Sequence, residues 1–189
     1  MWMASDLSIV IGATIAENFA DCLFRPTIYP EEVMSVLEDN LKYFTQQQCS
    51  AQWMAFLHAF ADEFGQQIPV AELRVLMSRL GTAMMRELPT PTGETLAELE
   101  ASINAIWFDL DWGWVALIEK DDGLYIEHNA APLLGAFGAA ALAWSPALLE
   151  GIYAHWLTAL GVDSGLQLSQ VEAEPTESMA IVFRFGRAV

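Results

Sequence analysis

Residues 112–128, WGWVALIEKDDGLYIEH, decide the fold, because along them the spacing of apolar residues changes from about 3.6 to 2. Residues 112–118 and 124–128 alternate as strands do, and the Asp122-Gly123 pair between them is a strong hairpin signal. A second strand pair is expected near the end of the chain, at residues 167–173 and 179–185.

Helical spacing is found on both sides of the first hairpin. The predicted helices cover residues 31–47, 50–65, 69–84, 95–108 and 145–161. Helices, a hairpin, a helix and a hairpin, in that order, predict an α+β fold. The N-terminal helices and one later helix would pack on a small antiparallel sheet of two hairpins.

End signals support two of these helices. Thr95 and Glu98 have the spacing of a capping box. Ser145 is expected to be an N-cap, with Pro146 as the first helical residue and Gly161 as the stop.

Seven tryptophans are many for this length, and most fit packing better than ligand binding. Trp53, Trp107 and Trp156 lie on or beside predicted apolar stripes. Trp112 and Trp114 would share one strand face, where core or subunit interface is the expected environment.

The chain divides into residues 1–33, an N-terminal extension, and residues 34–189, the main domain. The turn-rich residues 25–30 (RPTIYP) separate the two. Either Met34 is the natural start and the extension is an addition, or the extension is an ordinary N-terminal helix and linker.

Composition excludes some partners. The 189 residues include 8 Lys and Arg against 25 Asp and Glu, a formal charge of −17 that opposes binding to nucleic acid or to an anionic membrane surface. The chain is 54% hydrophobic but only 17% charged, which favours burial of surface between subunits in a homo-oligomer.

Nothing in the sequence predicts secretion or membrane insertion. Residues 7–16 (LSIVIGATIA) are apolar, but no Lys or Arg precedes them, as a signal peptide would require. No apolar run is long enough to span a bilayer. Two cysteines, Cys22 and Cys49, are too few for a disulfide scaffold, and we expect a cytoplasmic protein.

Catalytic motifs are missing from the sequence. His58, His128 and His155 lie on three separate elements, so no metal site is predicted, and neither a cofactor nor a phosphate-binding loop is indicated. Asp109 and Asp111, beside Trp112, could serve a glycosidase, although acidic residues are also ordinary at a turn between a helix and a strand. The protein is predicted not to be an enzyme.

Four segments resemble the bacterial cellulose synthase operon protein D family, in the same order and with the same spacing. They are residues 96–104 (LAELEASIN), 111–115 (DWGWV), 126–132 (IEHNAAP) and 149–158 (LEGIYAHWLT). The resemblance extends over residues 47–187 and leaves out the extension.

This resemblance implies a non-catalytic accessory protein that forms an octamer, as a tetramer of dimers. Such a protein helps to align and export glucan chains as crystalline cellulose, together with other proteins of the operon. By position, the glucan-contact segment corresponds to Tyr43, Phe44, Thr45, Gln46, Gln47 and Gln48. Amide side chains can donate to and accept from sugar hydroxyls, and Phe44 could stack on a sugar ring.

Two alternatives stay open. The family is placed either in the periplasm, as an export channel, or in the cytoplasm, as a scaffold for synthase complexes, and the missing signal peptide favours the cytoplasm. The C-terminal helix and two strands also resemble the 4-vinyl-reductase and vesicle-tethering α+β domains, which bind small apolar ligands or act as assembly modules.

Overall fold

The computed structural model describes residues 44, 49–162, 165–171 and 180–187. The helices are α1 (Ala51–Gln67), α2 (Val70–Met84), α3 (Leu96–Asp109), α4 (Leu133–Phe137) and α5 (Ala147–Ala159), with a 3-10 turn at Ala139–Ala143. The strands are β1 (Trp114–Lys120), β2 (Gly123–Asn129), β3 (Leu166–Gln170) and β4 (Ile181–Arg187). The α+β prediction is confirmed.

The extension 1–33, the choice of Met34 as the start and the helix predicted at residues 31–47 lie outside the described residues, apart from Phe44 within that helix.

The four strands form one antiparallel sheet in the order β1-β2-β4-β3. The β1–β2 hairpin turns at residues 121 and 122, with Lys120 opposite Gly123. Arg184 on β4 fixes this turn through a 2.8 Å bond from its Nε to Asp122 Oδ2. That hydrogen bond, with a second from Tyr125, lowers the pKa of Asp122.

The outer edge of β1 is closed by side chains of α3. Asn104 Oδ1 accepts from the Val115 amide at 2.7 Å, and Asn104 Nδ2 donates to the Val115 carbonyl at 2.9 Å. Glu100 Oε2 accepts from the Leu117 amide at 2.7 Å. These three bonds satisfy backbone groups that an edge strand would otherwise present to another chain.

Helices α3 and α5 pack against the sheet, and the other helices pack mainly on helices. α3 packs against β1 and α5 against β3, while α2 lies along α5 and α1 packs against α4. The inner faces of the strands supply alternating buried residues, as the period of two predicts, including Val115, Leu117, Ile126 and Phe183.

Glycine allows α2 and α5 to cross closely. A Cβ atom on Gly151 would lie 2.0 Å from the Ser78 carbonyl oxygen, and one on Gly81 would lie 2.0 Å from the Leu148 carbonyl oxygen. Each helix therefore needs a glycine where it meets the backbone of the other.

A polar contact also joins α2 and α5. Arg74 Nη2 lies 2.7 Å from Glu150 Oε2, and Arg74 Nη1 donates to Gln170 Oε1 at 2.9 Å. Burial raises the pKa of Glu150, and the attraction of Arg74 offsets only part of that shift.

The predicted helix ends are mostly correct. The capping box of α3 is present, with Glu98 N donating to Thr95 Oγ1 at 3.2 Å. Gly161 follows α5 with φ of 78°, as a C-terminal stop requires. The N-cap of α5 was predicted wrongly, because Pro146 holds that position while Ser145 is fully buried and makes no capping bond.

Candidate functional site

A buried aromatic cluster lies between the sheet and helices α3 and α5. Its members are Trp107, His128, Tyr153, Trp156 and Phe183, each at most 2% exposed. Their ring centroids lie 5.2 to 6.0 Å apart in successive contacts. The prediction that Trp107 and Trp156 are core residues is confirmed.

His128 is held as a neutral imidazole in this cluster. Its Nε2 lies 2.7 Å from the Trp112 carbonyl oxygen, which can only accept, so Nε2 carries the proton. Its Nδ1 then accepts from the Tyr153 hydroxyl at 2.5 Å. Burial lowers the pKa of His128 to about 4, and burial also raises the pKa of Tyr153 well above its ordinary value. His128 and Tyr153 are therefore hydrogen-bonded within the core, and their role is structural.

Trp112 and Trp114 do not share a strand face, contrary to the prediction. Trp112 precedes β1 and stacks on Trp107, with centroids 5.8 Å apart and planes 7° apart. Trp114, the first residue of β1, is 53% exposed. Gly113, which lies between them, has a positive φ of 85° that turns the chain and breaks the alternation assumed from sequence.

Helix α1 carries a second group of aromatic rings, and most of it faces outward. We call Trp53, Phe56, Phe60 and Phe64 the aromatic face of α1. Adjacent rings along it have centroids 6.1, 6.5 and 4.3 Å apart. Trp53 is 55% and Phe56 59% exposed, whereas Phe60 and Phe64 are half-buried. The prediction that Trp53 is a core residue is therefore wrong.

Other residues of α1 anchor the helix to its own subunit. Ala61 is its buried residue, and the His58 ring bonds the Gly135 carbonyl of α4 through Nε2 at 3.0 Å. Phe56 falls outside the apolar stripe predicted for this helix, although its position three residues after Trp53 puts both on one side. The aromatic face is therefore exposed at Trp53 and Phe56, whereas at Phe64 it packs against the core.

The predicted glucan-contact segment immediately precedes α1. Phe44 is helical and 64% exposed. Tyr43, Thr45, Gln46, Gln47 and Gln48 lie outside the described residues. The structure thus places the start of the aromatic face a few residues after this segment in the chain.

The carboxylates considered for hydrolysis are Asp109, the last residue of α3, and Asp111, in the turn that follows. Both are exposed. Across the described ranges, no group of three or more His, Cys, Asp or Glu side chains is placed to hold a metal ion.

A comparison with known protein families gives a match that covers almost all of the described helices and strands. The sequence model of a family described as the D subunit of cellulose synthase matches residues 39–186, which include every described helix and strand except the end of β4. The chain belongs to this cellulose synthase operon protein D family. Membership places it in bacterial cellulose synthesis.

Relatives within the protein D family are of modest identity. A cellulose synthase operon protein D of Komagataeibacter xylinus is 26% identical over 138 residues, which is 68% of this chain and 88% of the relative. A protein of the same name from Komagataeibacter sucrofermentans is 29% identical over 105 residues, 54% of this chain and 67% of the relative.

In the part of this protein D family member that the structure describes, no helix combines the length and apolar character needed to cross a bilayer.

Proposed function

We propose that this chain is a non-catalytic accessory subunit of bacterial cellulose synthesis. It would form a homo-oligomeric scaffold, an octamer built as a tetramer of dimers, that aligns glucan chains or synthase complexes for crystalline export. The observation that carries the proposal is the aromatic face of α1. It extends over three turns of a helix and is more than half exposed at Trp53 and Phe56.

The uncharged, aromatic composition of the aromatic face of α1 favours a protein partner. Aromatic residues are enriched and charged residues depleted at the centres of subunit interfaces, and the four residues of this face carry no charge. Subunits with a formal charge of −17 repel one another, so self-association needs an uncharged contact surface of this kind.

Glucan contact is the finer part of the proposal. Tyr43, Phe44, Thr45, Gln46, Gln47 and Gln48 would line the glucan path. The amides would bond sugar hydroxyls, and the exposed Phe44 ring would stack on the apolar face of a sugar. We further propose that the protein works in the cytoplasm with other proteins of the operon; the alternative is the periplasm.

The alternative of a carrier for a small apolar ligand receives less support. The cavity between the sheet and helices α3 and α5, lined by residues such as Ile103, Ile126 and Trp156, has a volume of about 10 Å³. Ligand pockets usually measure about 300–1,000 Å³. An assembly module therefore suits this interior better than a ligand carrier does.

Light scattering on the full chain tests the scaffold. The expected mass is near eight subunits, and a monomer would overturn the proposal. Changing Trp53 and Phe56 together to Ser should reduce the mass, because it adds hydroxyls where the interface needs apolar area. Phe108→Ser, at a ring 80% exposed on α3, is the matched control and should leave the mass unchanged.

The crystallinity of the cellulose that cells produce tests whether this segment lines the glucan path. Changing Gln46, Gln47 and Gln48 together to Ala should preserve the oligomer and reduce the crystallinity of cellulose made by cells. Unchanged fibres would remove this segment from the path. Changing Asp109 and Asp111 together to Asn should leave the cellulose yield unchanged, and a loss would contradict the non-catalytic role.

A further inference from the structure

An open pocket of about 490 Å³ adjoins α2 and α5, away from the aromatic face of α1. The side chains that line it are Arg79, Thr82, Ala83, Met85, Arg86 and His155. Arg79, Thr82 and Ala83 belong to one side of α2, and Met85 and Arg86 follow directly after its end. His155 comes from α5, which the contacts at Gly81 and Gly151 hold at a fixed place along α2.

The lining is basic in an acidic chain. None of its six side chains is Asp or Glu, although the chain has 25 acidic residues and only 8 Lys and Arg. The positions three and four residues from Arg79 on α2 are Val75, Leu76, Thr82 and Ala83, so the helix provides no carboxylate to pair with it.

Two arginines outside the pocket have carboxylate partners. Arg74 and Arg184 each pair with a carboxylate at 2.7 and 2.8 Å. Within the described residues, the guanidinium group of neither Arg79 nor Arg86 has an ion pair or a hydrogen bond. With carboxylates in threefold excess, two unpaired guanidinium groups in one pocket keep their hydrogen-bond donors available to a ligand.

We propose that this pocket binds a small molecule with at least two negative charges on phosphate groups. Two guanidinium groups and an imidazole line it, and guanidinium geometry matches phosphate oxygens in pairs. The volume lies in the range of small-molecule sites and exceeds that of a single phosphate ion. Ala83 and Met85 add an apolar wall for the rest of the ligand.

The net charge of −17 does not exclude this site. At physiological ionic strength, charges on an exposed surface are largely screened beyond about 8 Å, so the basic groups of the pocket dominate its interior. A search of the sequence for phosphate-binding loops cannot find such a site, because Arg79 and His155 lie on different helices and 76 residues apart. The inference is independent of the proposed scaffold role.

Calorimetric titration of the full chain tests the proposal at constant ionic strength. The probes are pyrophosphate, adenosine diphosphate, citrate as a carboxylate of similar charge, and a glutamate-rich peptide. We expect both phosphate probes to bind, more tightly than citrate and the peptide.

Variants locate the binding. Arg79→Gln and Arg86→Gln should each weaken it about tenfold or more, since each removes a charge-assisted hydrogen bond. Arg187→Gln, which also removes one exposed arginine but lies outside the pocket, should have no effect. Thermal midpoints should match the wild type, because both pocket arginines are exposed and unpaired.

Four outcomes would overturn the proposal. They are no binding of either phosphate probe, equal binding of citrate, binding of the peptide alone, and phosphate binding that survives both pocket substitutions. Binding of the peptide alone would instead identify the pocket as a docking point for an acidic protein segment.

Discussion

The buried aromatic cluster and the aromatic face of α1 differ in how much of their environment the subunit itself supplies. Around Trp107 and Trp156, two helices and the sheet exclude solvent, and even His128 is hydrogen-bonded at both ring nitrogens. Along α1, the exposed fraction rises from the half-buried Phe64 to Trp53 at 55%. The first group stabilises one subunit, whereas the second is exposed at Trp53 and Phe56.

Removing a ring from the buried cluster should have the largest effect. Trp156→Ala deletes a side chain that is 2% exposed and should lower the free energy of unfolding by about 3–5 kcal/mol. Urea unfolding followed by circular dichroism measures this. A loss below about 0.5 kcal/mol would mean that α5 does not face the sheet as described.

The buried imidazole of His128 should make a pH-dependent contribution of about 3 kcal/mol to the free energy of unfolding. The pKa of His128 falls from 6.5 to about 4 in the folded chain, and each pKa unit corresponds to about 1.4 kcal/mol. The unfolded chain binds the proton first, so this stability is complete above pH 6.5 and is lost as the pH falls toward 4.

Urea titrations at several pH values isolate this contribution as the difference between the wild type and His128→Gln. His155→Gln, at an exposed imidazole, serves as the control and should follow the wild-type profile. If His128→Gln keeps the same slope below pH 6.5, the buried neutral histidine is not its cause.

Adding a methyl group at a glycine should change the unfolding free energy in opposite directions in α5, which carries part of the buried cluster, and in α1. Gly151→Ala puts a Cβ atom 2.0 Å from the Ser78 carbonyl oxygen and should destabilise the subunit by about 1–3 kcal/mol. Gly65→Ala, on α1, meets nothing within 4 Å and should stabilise it by about 0.4–1 kcal/mol through helix propensity. Equal effects in thermal unfolding would contradict the close crossing of α2 and α5.

The smallest effect on the fold is expected at the aromatic face of α1. Trp53→Ser should change the unfolding free energy of the separated subunit by about 0.5 kcal/mol or less, because the ring is already 55% exposed. Unfolding is best measured at protein concentrations low enough to separate subunits. A loss of several kcal/mol there would show that Trp53 packs within its own subunit.

Much of the fold could be predicted because its signals are local. The capping box at Thr95, the two-residue turn before Gly123 and the spacing of Leu149, Ile152 and Trp156 each depend on a few neighbouring residues. Helix periodicity shows which residues share a side, but it does not show whether that side is covered by the same chain. Trp53 was misplaced for this reason.

Backbone geometry and long-range contacts account for the features that the sequence pattern did not predict. The positive φ angle at Gly113 separates Trp112 from Trp114, and a regular alternation does not predict it. Arg79 and His155 line one pocket although they lie on different helices, which cross closely at two glycines. The glucan-contact segment stays a prediction from resemblance, and Phe44 is its one described residue.

The hydrogen bonds from Asn104 and Glu100 to β1 bear on how copies of this chain avoid uncontrolled aggregation. A fibril grows when the backbone of one molecule pairs with an open strand of the next. At β1, an incoming strand would first have to displace three side-chain bonds of 2.7 to 2.9 Å. Growth of a fibril from this edge is thereby opposed.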